Sequence, residues 1–176
     1  MLTGTSSIIP IIIFVGILSP IVEEIVFRGV LLDKLRAYGD KRAICFTALT
    51  FALFHGNLSQ FFYALILGLI FGYIAIKTNS IRYNIILHII VNIFGSVIMP
   101  ALALSSNKTL VMISGLIVIS FVVIGIILFL VNYKKIKFEP TENKIKKVGK
   151  KIVYWNIGMV LYYVACIGLF IYVIVV

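Results

Sequence analysis

Apolar runs follow one another along most of this chain, at about residues 6–18, 20–36, 43–56, 60–76, 82–102, 109–132 and 152–175. An α-helix needs ~20 such residues to cross ~30 Å of hydrocarbon. With 62% hydrophobic and only 12% charged residues over 176 positions, a water-soluble fold has no room to hide this surface. The chain therefore reads as an all-α, polytopic transmembrane helical bundle. Several runs are short, and the first two merge into one helix if Pro20 only kinks it, so six or seven spans are expected.

Charge placement orients the bundle. Lys34, Arg36, Lys41 and Arg42 share one loop, Lys77 and Arg82 another, and eight lysines lie in 134–151. The alternating connections, 56–60 and 103–108, carry Lys108 alone. By the positive-inside rule the basic loops face the cytoplasm and the carboxyl terminus lies on the far side. This accounts for the net charge of +10. Lysines next to helix ends meet an anionic leaflet, so the expected partners are the lipid bilayer and a membrane protein or peptide, with no nucleic acid.

Three segments follow: a membrane core over 1–133 whose motifs lie within 19–96, a basic cytoplasmic loop over 134–151, and a last helix over 152–176. Pro140 and Gly149 punctuate the loop, while Tyr154, Trp155 and Tyr172 suit the headgroup level at the ends of the final span. No basic residue precedes Arg28, so no cleaved signal peptide is expected, and the core is read as short at its amino-terminal side. Cys45 and Cys166 fall in apolar spans and read as packing residues. Ala64, Gly68 and Gly72 form a small-residue stripe suited to close helix approach.

Polar residues within the spans are few and grouped. Glu23 and Glu24 stand side by side with Arg28 one turn on. Charges at bilayer depth cost roughly 2.5–3.5 kcal/mol each, so the cluster demands internal pairing, which Glu24 and Arg28 satisfy at i, i+4. Phe51 and His55 close the run before Gly56 and Asn57, and Asn84, His88, Asn92 and Ser96 recur at steps of four, a stripe expected to face away from lipid. Counting ~1.5 Å per residue from the basic side, Glu24, His55 and Asn92 reach ~15–20 Å, near the bilayer middle, while His88 is shallower at ~9 Å. An isolated intramembrane His or Asn is commonly just helix glue. Here both histidines, and the only acidic residues within the spans, are embedded together.

The ordered motifs Glu23-Glu24-x-x-x-Arg28, Phe51-x-x-x-His55 and His88-x-x-x-Asn92, each on a hydrophobic helix and about thirty residues apart, resemble those of the CAAX protease and bacteriocin-processing (CPBP, or Abi) intramembrane proteases. The resemblance covers roughly residues 10–100. It implies an endopeptidase that cleaves a membrane-associated protein or peptide, in peptide processing or bacteriocin self-immunity. It also implies roles: Glu23 acts with His55 to activate water, His88 and Asn92 hold the oxyanion, and Glu24 with Arg28 forms the supporting pair. Such a reaction needs an activated water, an oxyanion stabiliser and a proton for the leaving amine, and imidazole and amide N–H groups can supply donors.

The cofactor expectation is none or zinc. Glu23, His55 and His88 could fill three positions of a zinc site, but the His-Glu-x-x-His arrangement of zinc proteases is absent. Two other classes compete with the enzyme: a non-catalytic scaffold or immunity factor, and a fragment of a proton-coupled carrier whose Glu and His relay protons. The Ile- and Lys-heavy composition points to a bacterial cell membrane as the location of this multi-pass protein.

Overall fold

Pro20 does not break the first helix. In the computed structural model, which describes residues 8–137 and 154–175, the first two apolar runs form one helix, α1, Ile8–Tyr38. It survives through wide turns. Ile11–Leu18 and Ile25–Leu32 are wound as π-helix, and the Ser19 amide donates to Phe14 O, five residues back. Such wide turns relieve the clash a proline ring makes with the turn before it. Gly39, at φ 106°, then reverses the chain in a backbone region that side-chain-bearing residues avoid.

Five more helices follow among the described residues: α2 Asp40–Phe54, α3 Leu58–Thr78, α4 Arg82–Ala103, α5 Lys108–Lys135 and α6 Ile157–Val175. All but α2 are long and apolar enough to cross a membrane, giving five such helices with α1. The fifteen residues of α2 rise only ~22 Å. Of the two span counts expected, the merged first helix gives six helical segments, one of them short. No strand occurs among the described residues. The basic-loop reading beyond Lys137 falls outside the described residues.

The chain divides into two compact units, Glu23–Asn84 with Pro140–Val176, and Met1–Val22 with Ile85–Glu139. The first is built on the α2–α3 hairpin. A Cβ on Gly68 would lie 2.9 Å from Ala48 Cα, and one on Gly72 would lie 3.1 Å from Ile44 Cγ2, so the small-residue stripe is where the two backbones meet. Asn57 caps α3 by accepting from the Ser59 amide, and Gly56 supplies a φ of +58° in the tight turn. Phe27, Phe51, Ala52 and Ala64 form the buried apolar cluster. Helix α6 joins this unit through the Tyr162 hydroxyl, which donates to Thr50 O.

In the second unit the start of α1 packs on α4. A Cβ on Gly16 would lie 3.1 Å from Ile93 Cγ1, and the Phe94 and Phe121 rings meet edge to face at 5.7 Å. One bond explains how Pro20 is accommodated. In the five-residue register set by Ser19 and Phe14, Val15 O would accept from residue 20, which as proline has no N–H. Asn92 Nδ2 donates to that carbonyl at 3.1 Å.

Candidate active site

Within the first unit the acidic pair divides its work. Glu24 is fully buried and accepts from Arg28 Nη1 at 2.8 Å, the i, i+4 pair expected from the sequence. The Arg28 guanidinium lies 4.3 Å over the Phe51 ring and 5.5 Å from that of Phe71. This aromatic bracket favours a cation at a depth where water cannot solvate it. Glu23 is half-buried, and its charge acts on both Arg28 and Tyr63. The carboxylate bonded to the guanidinium is thus the more deeply buried of the two.

His55 sits at the end of α2, where the helix stops and the chain turns at Gly56. Its Nδ1 is 2.9 Å from Phe51 O. A carbonyl can only accept, so Nδ1 carries the proton and Nε2 of the neutral ring keeps the basic lone pair. The Phe51 ring also meets the imidazole edge to face at 4.9 Å. Phe51 therefore holds His55 twice, by ring and by carbonyl, while its other contact supports Arg28. That gives the Phe-x-x-x-His spacing a physical purpose: i, i+4 brings a side chain back onto the carbonyl and ring of one helical turn earlier.

Tyr63 is a residue that sequence reading passed over. Its ring lies 6.5 Å from that of His55 and its hydroxyl-bearing side chain is within electrostatic reach of Glu23, yet it is 48% exposed. Nothing in the sequence marks it, because an aromatic residue in an apolar span is ordinary. Only the turn at Gly56–Asn57, which folds α3 back beside α2, brings it near.

Along α4 the polar stripe holds for two members and then fails. Asn84 is fully buried in the first unit and donates to Phe71 O at 2.7 Å. His88, in the second unit, is buried at 3% exposure. Asn92 is half-buried and engaged with Val15, but Ser96 is exposed, contrary to the expected stripe. Each α-helical step of four overshoots a full turn by ~40°, so the stripe has already drifted from the Asn84 face by Asn92, where the π-helical stretch Ile93–Ile98 begins.

Of the six candidate residues, Glu23, Glu24, Arg28 and His55 belong to one unit and His88 and Asn92 to the other. Among the described residues no three His, Cys, Asp or Glu side chains are grouped so as to hold a metal ion. Cys166 is buried as expected of a packing residue, whereas Cys45 is exposed.

Comparison with curated proteins and with solved structures returned no match. Comparison with family models matched residues 5–94 to "Type II CAAX prenyl endopeptidase Rce1-like". That stretch begins before α1 and ends two residues past Asn92, within α4, so it contains all three motifs. It covers just over half of the chain, and the all-helical, membrane-spanning architecture agrees with it. The chain therefore belongs to the Rce1-like family of type II CAAX prenyl endopeptidases.

Proposed function

We propose that this protein is an intramembrane endopeptidase that hydrolyses a peptide bond of a membrane-associated protein or peptide, with Glu23 and His55 activating the attacking water. The observation that carries the reading is the contrast inside one unit: Glu24 is fully buried against Arg28, while the adjacent Glu23 is half-buried and within electrostatic reach of Tyr63, whose ring lies 6.5 Å from that of His55. A general base needs access to water and a basic lone pair, and Glu23 with Nε2 of His55 provides two such groups. Family membership supports protease chemistry over a scaffold or a carrier.

In this mechanism Glu23 withdraws a proton from water as the oxygen attacks the scissile carbonyl carbon. The carbonyl π electrons move onto oxygen, where N–H groups of His88 and Asn92, in the roles the family resemblance implies, stabilise the charge. Asn92 has two amide hydrogens, and the bond to Val15 O uses one. When the C–N bond breaks, the leaving nitrogen takes the proton held between Glu23 and His55. The substrate class proposed is a lipid-anchored or transmembrane peptide in a bacterial cell membrane, with processing or self-immunity as its context.

The test is cleavage of a labelled membrane peptide by the full-length protein in proteoliposomes. Glu23→Gln and His55→Ala are each expected to abolish turnover while insertion and expression persist. Unchanged cleavage in both would leave the scaffold reading. Proton-coupled flux abolished by the same changes, with no cleavage in the wild type, would favour the carrier.

A further inference from the structure

A cavity of about 340 Å³ lies at the basic end of the Glu23–Asn84 unit, between the second half of α1, the end of α3 and the turn into α4. Arg28, Arg36 and Arg82 line it along with Asn79 and Ser80, against one lining carboxylate, Asp33. Arg36 donates to Asp40 at 3.4 Å and to Asn79 Oδ1 at 3.2 Å, whereas Arg82 forms no ion pair among the described residues. Arg28 contributes the most unusual feature. Its side chain is fully buried, Glu24 takes Nη1, and Nε and Nη2 are buried with no hydrogen-bond partner among the described residues.

Those two N–H groups have essentially no accessible surface and lie behind the cavity wall, so the guanidinium donors open to an oxyanion are those of Arg36 and Arg82. The cavity's remaining walls are apolar: Leu32, Ala75, Ile76 and Ile81. It spans from Arg36, at the helix end, to Arg28, ~12 Å deeper by the rise of eight residues. A guanidinium-lined mouth above apolar walls at the end of a transmembrane hairpin has the chemistry for a phosphate joined to a glycerol and acyl chain.

We propose that this cavity binds a phosphate oxyanion, that of an anionic lipid headgroup, with the guanidinium groups of Arg36 and Arg82 as its donors at the entrance. The inference does not depend on the proposed proteolysis. Its test is the thermal unfolding of the full-length protein in neutral-detergent micelles, titrated with phosphatidic acid, phosphatidylglycerol, phosphatidylcholine or inorganic phosphate. Anionic lipids are expected to raise the melting temperature saturably, with phosphatidylcholine weaker. Arg36→Gln/Arg82→Gln is expected to weaken the response about tenfold, and Lys134→Gln/Lys135→Gln, which removes charge elsewhere, to leave it unchanged. Arg82→Gln alone, which breaks no ion pair, is expected to weaken it measurably if the double variant fails to fold. An equal response to inorganic phosphate at matched concentration would retain the site and overturn its assignment to lipid. No response in the wild type, or identical responses in all variants, would overturn the proposal as a whole.

Discussion

The bond from Asn92 to Val15 predicts an unusual energetic coupling between Asn92 and a residue it does not bond, Pro20. Pro20 leaves Val15 O without its own-helix donor, and Asn92 Nδ2 supplies one at 3.1 Å. Removing the amide by Asn92→Ala should cost about 1–2 kcal/mol, the net loss of a bond plus an unsatisfied carbonyl, near the upper end of side-chain bonds measured in membranes. In a Pro20→Ala background the alanine N–H can take that carbonyl. The same Asn92→Ala change should then cost only a few tenths of a kcal/mol, a coupling of about 1 kcal/mol. The assay is reversible unfolding of the four proteins in mixed detergent micelles, with activity measured in parallel. A cost for Asn92→Ala that is the same in the wild-type and Pro20→Ala backgrounds would refute the compensation. Activity adds a second reading: if Asn92 also holds the oxyanion, Pro20→Ala should restore stability to the Asn92→Ala protein without restoring turnover.

Other consequences are more local. At 2.8 Å and an effective dielectric of about 20 the Glu24–Arg28 pair attracts by about 6 kcal/mol before desolvation, so Arg28→Gln should destabilise by about 3–5 kcal/mol, and adding Glu24→Gln should recover part of that. Additive losses in the same unfolding assay would contradict a buried pair. Gly68→Val places a branched side chain where even a Cβ lies 2.9 Å from Ala48 Cα, and should cost about 1–3 kcal/mol as α2 and α3 are forced apart. Gly115→Val, where a Cβ meets nothing within 4 Å, is the control expected to be neutral. Tyr63→Phe should lower kcat more than KM and shift the acidic limb of the rate profile, because it removes a hydroxyl near Glu23 and His55; a change in KM alone would assign Tyr63 to substrate binding.

Much of the fold is legible in the sequence because lipid imposes a simple code. Runs of apolar residues mark α1 and α3 to α6, and the stripe Ala64, Gly68, Gly72 marks the face on which α2 and α3 meet. Glu24 and Arg28 announce their pairing because i, i+4 spacing lets a single helix neutralise its own charge. What the sequence does not display is helical register. The π-helical stretches in α1 and α4 leave no compositional trace, so the exposure of Ser96 is not visible from its spacing to Asn84, His88 and Asn92. Nor is the tertiary hydrogen bond of Asn92 visible, since its acceptor is a backbone carbonyl freed by a proline elsewhere. The Phe51 motif position gained a reason only from distances: ring to imidazole, carbonyl to Nδ1, and ring face to guanidinium.

Cleavage, in the proposed mechanism, turns on Glu23 and His55 activating one water together. Single-turnover cleavage of a labelled substrate in proteoliposomes decides this, comparing wild type, Glu23→Gln, His55→Ala and the double variant, with the product analysed after reaction in ¹⁸O-water. Acting as one unit, the two residues should show strongly non-additive losses, the double variant little slower than either single one, with one ¹⁸O entering the new carboxylate. Turnover that persists in Glu23→Gln, or losses that multiply, would contradict the mechanism.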